Sequence, residues 1–124
     1  MMVKEGEKGK YDLEDRTLSF ARKTREFVGS FVKNVLNQED IKQLLRSSGS
    51  VGANYIEANE AVSYKDFLFR IKICRKEAKE SRYWLRVLSL GGAFNLEQTR
   101  NELIQEALEL TMIFGKIIQN KTAK

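Results

Sequence analysis

Apolar and small residues recur along this chain at alternating steps of four and three, in four separate runs. The first run is Leu13, Thr17, Phe20, Thr24, Phe27 and Phe31. The third is Phe67, Ile71, Cys74, Ala78, Ser81, Leu85 and Leu88, and the fourth is Leu96, Leu103, Ala107, Leu110, Phe114 and Ile117. Such spacing returns to one side of an α-helix every two turns, so each run predicts a helix with a single seam. The second run (Ile41, Leu44, Leu45, Ser48, Val51, Gly52, Tyr55, Ile56 and Asn59) keeps the helical phase through a stretch rich in serine and glycine, Arg46–Ala53. Each glycine in a helix interior costs about 1 kcal/mol against alanine. Continuous phase argues for a helix here all the same, with close helix–helix approach at Ser48 and Gly52. No phosphate-binding loop fits, because Gly49 and Gly52 are followed by Ala53 and Asn54 rather than by Lys and Ser or Thr.

Polar punctuation divides the runs. Asp12 is placed to cap the first helix, Asn37 the second, Ser63 the third with Asp66 at its capping-box position, and Asn95 the fourth; Gly91–Gly92 ends the third. The expected helices span about 12–34, 38–61, 63–90 and 95–120, between a polar, glycine-containing tail over 1–10 that is expected to be disordered and a short tail over 121–124. There is no proline anywhere. Long helices joined by short loops predict an all-α, antiparallel up-down-up-down four-helix bundle over 11–120, left-handed as the heptad phase requires.

Composition narrows the chemistry. The chain has 124 residues, no histidine and one cysteine, Cys74, on the third seam. Without histidine the commonest general base and metal ligand are missing, and carboxylate di-iron sites of the Glu-x-x-His kind cannot form. Glu57, Glu60, Glu77 and Glu80 lack a local ligand loop and are expected to be solvated or ion-paired. Cys74 is expected to be a packed thiol. The reading is therefore a non-enzyme with no catalytic residue, metal or cofactor. No run reaches the ~18 apolar residues of a membrane span, and Met1–Lys10 has no signal-peptide core, so the cytoplasm is the expected compartment.

Charge is unevenly placed. Ser63–Leu90 holds eight Lys/Arg against three Asp/Glu, which matches the whole chain's net +5, whereas Asn37–Val62 is mildly acidic. At ~100° per residue, Lys72, Arg75, Lys76, Lys79, Arg82 and Arg86 share an arc of about 120° opposite the third seam, with Tyr83 among them. This arc is the candidate nucleic-acid-binding face, backbone-directed because nothing in the chain resembles a base-reading motif. Asn54, Glu57, Arg70 and Glu77 form a second candidate set, a polar network across helices two and three that would fix their register. Apolar residues beside the seams (Ile104, Leu108, Met112 and Ile118 on helix four, Ile73 and Trp84 on helix three) exceed what one bundle buries and point to a homo-oligomer.

Arg46–Ala58 and Arg70–Leu85, with the spacing of Ser48, Ser50, Asn54 and Glu57 and the Tyr-Asp-Leu lead-in at Tyr11, resemble the bacterial four-helix bundle proteins also called the S23 or 23S rRNA intervening-sequence family. The likeness runs from Tyr11 to about Ile118. It implies an antiparallel bundle assembled as a ring-like homopentamer. Some members are encoded within intervening sequences of 23S rRNA genes. A related accessory protein of diversity-generating retroelements is a basic pentamer that binds nucleic acid and a reverse transcriptase. The expected function is an oligomeric RNA- or DNA-binding protein; the alternative is a structural adaptor that docks a protein partner and has no nucleic-acid role.

Overall fold

The computed structural model describes residues 5–31 and 33–122, with side chains over 13–31 and 33–120. Four helices account for most of it: α1 (Glu5–Gly29), α2 (Val35–Asn59), α3 (Tyr64–Val87) and α4 (Glu97–Thr122), with one 3₁₀ turn at Phe94–Leu96. No strand occurs among the described residues. The expected tails fall partly on residues 1–4 and 123–124, outside the described residues. Between them the backbone is already helical at Glu5 and still helical at Thr122, so α1 begins ahead of Asp12. At its other end α1 stops at Gly29, short of the expected 34.

The seams are the core. Leu13, Phe20 and Phe27 of α1, Leu44, Val51 and Tyr55 of α2, Ile71, Cys74, Ala78 and Leu85 of α3, and Leu103, Ala107, Leu110 and Phe114 of α4 are all buried in one cluster. The seam hydroxyls of Thr17, Thr24, Ser48 and Ser81 each donate to a carbonyl of their own helix. Thr24 Oγ1 donates to the Phe20 carbonyl at 2.7 Å and Thr17 Oγ1 to that of Glu14 at 3.0 Å. Ile56 is the exception on the α2 seam, being 56% exposed.

Arg46–Ala53 is helical throughout, and its small residues mark close approaches. A Cβ on Gly52 would stand 3.0 Å from Thr17 Oγ1 and 3.2 Å from Thr17 Cβ of α1. On the α3 side, the buried hydroxyls of Ser47 and Ser81 share a hydrogen bond of 2.9 Å. Pairs between α2 and α3 run in opposite order: Asn37 with Ser89, Ser47 with Ser81, Asn54 with Arg70. The α2–α3 contact is the most extensive between helices, and that of α1 with α4 is much smaller.

Three of the expected helix ends are corrected. Asn34, not Asn37, caps α2, its side chain accepting from the Asn37 N–H at 3.0 Å. Asn37 is instead buried and clamps the chain beyond α3: its Nδ2 donates to the Ser89 carbonyl at 2.5 Å and its Oδ1 accepts from the Ser89 N–H at 3.2 Å. That clamp, with Arg100 donating to the carbonyls of Leu85 and Leu88, occupies the polar groups that would have continued α3, which stops at Val87. Gly91 and Gly92 then turn the chain at φ +57° and +90°, four and five residues past Val87 rather than at the helix end. Asn95 lies inside the 3₁₀ turn ahead of α4. Ser63 does cap α3, its Oγ accepting from the Asp66 N–H at 3.1 Å.

Candidate nucleic-acid interface

With one side of α3 committed to the core, the residues opposite must face outward. Lys72, Arg75, Lys76, Lys79, Tyr83 and Arg86 are exposed and Arg82 is half-buried. Among the described residues none of these cations forms an ion pair; the pairs present involve Arg16, Arg46 and Arg100. Unpaired cations in one row keep their full field toward solvent. The row is not uniform. Arg75 leans across α4, where its Nε would lie 3.6 Å from a Cβ on Gly115, so the missing side chain there leaves room for it. Arg82 also turns inward, and its Nε is buried without a hydrogen-bond partner. Lys72, Lys76, Lys79 and Arg86 are the remaining cations of the row, all exposed.

Aromatic rings interrupt the cations. Tyr83 is 58% exposed and meets Trp84 edge-on, with centroids 5.0 Å apart and planes at 80°. Trp84 is held in turn by Glu80, whose Oε1 accepts from its Nε1 at 3.5 Å. Two further residues of this face escaped the sequence reading. Phe69 is 59% exposed, with the Arg70 guanidinium carbon 6.0 Å from its ring centroid, and Lys65 is exposed one turn before it. At ~100° per residue Lys65 falls in the arc of the lysines, about two turns ahead of Lys72, and Phe69 falls about 20° beyond the edge of the arc at Lys76.

The expected polar network divides. Arg70 Nη1 donates to Asn54 Oδ1 at 3.0 Å, and Asn54 Nδ2 to the Ser50 carbonyl at 2.8 Å, which joins α3 to α2. Glu77 belongs elsewhere: Arg46 of α2 donates to it at 2.8 Å and to Glu80 at 2.5 Å, one guanidinium spanning two carboxylates a turn apart on α3. Glu57 is exposed and no bond joins it to the other three. Arg46 was missed because its partners lie 31 and 34 positions away, a relation only the helix register supplies. Burial pushes the Glu80 carboxyl up, but the hydrogen bonds from Arg46 and its neighbours outweigh that and hold it below the ordinary carboxylate value. Between α1 and α4 the same device recurs. Arg16 grips Glu106 with two bonds of 2.9 and 2.8 Å and reaches Glu109 at 2.8 Å.

Cys74 is buried, and burial pushes its thiol up to about 12. No helix among the described residues is long and apolar enough to cross a membrane.

An all-α chain of four helices on one core, with one helix edged in unpaired cations, defines the class. A family model for the 23S rRNA-intervening sequence protein matches residues 10–116, and the chain belongs to that family. Among solved structures it is similar to a protein of unknown function from the S23 ribosomal protein family of Bacteroides thetaiotaomicron. The two are 30% identical with a TM-score of 0.68, over 86% of this chain and 97% of that one. No curated protein matches it.

Proposed function

We propose that the chain is a non-catalytic, oligomeric helical-bundle protein that binds the RNA or DNA backbone through the outer face of α3. The observation that carries this reading is the row of exposed cations on that face, none of them paired to a described carboxylate. A helix row of this kind is more often consumed by carboxylates one turn away; here Glu77 and Glu80 are turned to Arg46 instead. The opposed pairing of α2 with α3 supports the antiparallel, up-down-up-down arrangement. Of the apolar residues expected to need another subunit, Ile104, Ile118 and Trp84 are partly buried against this chain's own core, so Met112, 64% exposed on α4, is what supports self-association as a ring of subunits. Repeating the α3 face around a ring would multiply its field on a phosphate backbone.

A second reading has its own observation. Val35, Leu36 and Phe94 are 87%, 78% and 83% exposed. They flank the two connections that Asn37 and Ser89 tie together at one end of the helices. An apolar end of this sort suits an adaptor that docks a protein.

Fluorescence anisotropy across a salt series separates the two. Backbone binding predicts a log–log slope of about −0.7 for each phosphate neutralised on a single strand, or about −0.9 on a duplex. Reversing Lys72, Lys76 and Lys79 to Glu should cut affinity by about a hundredfold or more, with melting temperature unchanged because these lysines hold nothing in the fold. Flat or absent binding at low salt would leave the adaptor.

A further inference from the structure

Phe69 and Tyr83 are exposed aromatic residues on the outer side of α3, Tyr83 inside its basic arc and Phe69 about 20° beyond the edge of that arc at Lys76. They are just under four turns apart, about 21 Å along the helix axis. Lys65, Lys72, Lys76 and Lys79 lie before and between them on the same arc. Neither ring is needed for packing. Both are more than half exposed, and the core beneath is closed by Ile71, Cys74, Ala78 and Leu85, all fully buried. Each is nevertheless steadied at one side: Phe69 by the Arg70 guanidinium, itself held by Asn54, and Tyr83 by the edge of Trp84. A ring held in place and open to solvent presents a π-face at little entropic cost.

From this arrangement we infer that the ligand of the α3 face is single-stranded nucleic acid, with Phe69 and Tyr83 as its two base-stacking platforms. The inference rests on the proposed backbone-binding role of that face and adds the class of strand. In a duplex the bases are stacked on one another and closed to side chains, so only the cations would contribute. A single strand lends its bases to the rings while its phosphates follow the lysines between them. At the 3.4 Å rise of a stacked strand, 21 Å corresponds to about six nucleotides. That lies within the span of about 4 to 16 nucleotides used by single-strand binding modules. Every base has a π-face, so little sequence preference is expected.

The chain's single tryptophan supplies a direct readout, because Trp84 touches Tyr83. The experiment titrates the full chain with oligo(U), oligo(dT) and a mixed-sequence duplex, each of about twelve nucleotides or base pairs, long enough to span both rings. It follows anisotropy and Trp84 emission in the wild type, in Phe69→Leu and Tyr83→Leu singly and together, and in the Lys72, Lys76, Lys79→Glu variant. The leucines keep apolar bulk and remove the π-face. Single strands should bind more tightly than the duplex, and each leucine should weaken single-strand binding roughly 5- to 150-fold, leaving duplex binding unchanged. Trp84 emission should respond to single strands and lose that response in Tyr83→Leu. A preference for oligo(U) or for oligo(dT) would assign the strand to RNA or to DNA, and either supports the inference. Leucine variants that bind single strands like the wild type, or that lose duplex and single strand equally, overturn it. If the lysine variant loses all binding while the leucine variants lose none, the backbone-binding reading stands and this inference falls. If the lysine variant binds like the wild type, that reading falls first.

Discussion

The two flanks of α3 treat charge in opposite ways. Toward α2, Glu77 and Glu80 are bridged by Arg46, Arg70 is bonded to Asn54, and Ser81 is bonded to Ser47. On the outer face Lys72, Lys76 and Lys79 meet no described carboxylate, and the rings of Phe69 and Tyr83 stand open among them. Both flanks come from one helix of the same composition, so the difference lies in which groups the neighbouring helix brings within reach. Charges facing a neighbour become part of the fold, and charges facing away remain available to a ligand.

The inner side breaks most severely where backbones come closest. Gly52→Leu should cost about 3 kcal/mol in thermal or urea unfolding, because a side chain there drives into Thr17. Adding Thr17→Ala should recover part of that loss. A wild-type melting curve for Gly52→Leu would refute the close approach. Arg46→Ala acts more gently. It leaves the Glu77 carboxylate, with a side chain only 9% exposed, without its cation; Arg46 itself is 46% exposed, so the cost should be about 1–2 kcal/mol. Nucleic-acid binding by the folded variant should be unaltered or slightly weaker, since two carboxylates lose their cation while no cation of the outer face is touched. Loss of binding in that variant would show that the two flanks are not separable.

Acid should reveal the smallest effect. The Glu80 carboxyl is held below its ordinary value in the folded chain. Its contribution is therefore complete above the unfolded value, near pH 4.3, and is lost as pH falls through the folded value. Unfolding free energy should drop more steeply below about pH 4.5 in the wild type than in Arg46→Ala, by less than about 1 kcal/mol. Identical acid profiles would remove Arg46 from the account of Glu80.

Much of the fold was legible beforehand. The buried positions of α1, α3 and α4 follow the four-three spacing closely, and Arg46–Ala53 stayed helical as its phase required, since a seam must meet a core whatever its partner. Helix ends were less legible. Asn34 and Asn37 are both plausible caps by residue type, and the choice fell to Asn34 because Ser89 of a distant connection claims Asn37. The outer cations could be read from angle alone; Lys65 continues their arc toward the N-terminus of α3, and Phe69 lies just beyond its edge.

The sequence alone determined four helices, their inward faces and a basic arc on the third, because helical periodicity converts local spacing into direction. Only the tertiary structure decided which charges are consumed. Arg46 finds Glu77 and Glu80, Arg16 finds Glu106 and Glu109, and Lys72, Lys76 and Lys79 find nothing. The reason is physical: an ion pair needs its partners within about 4 Å, and for residues 30 to 90 positions apart that distance is set by how helices are brought together, which no local pattern encodes.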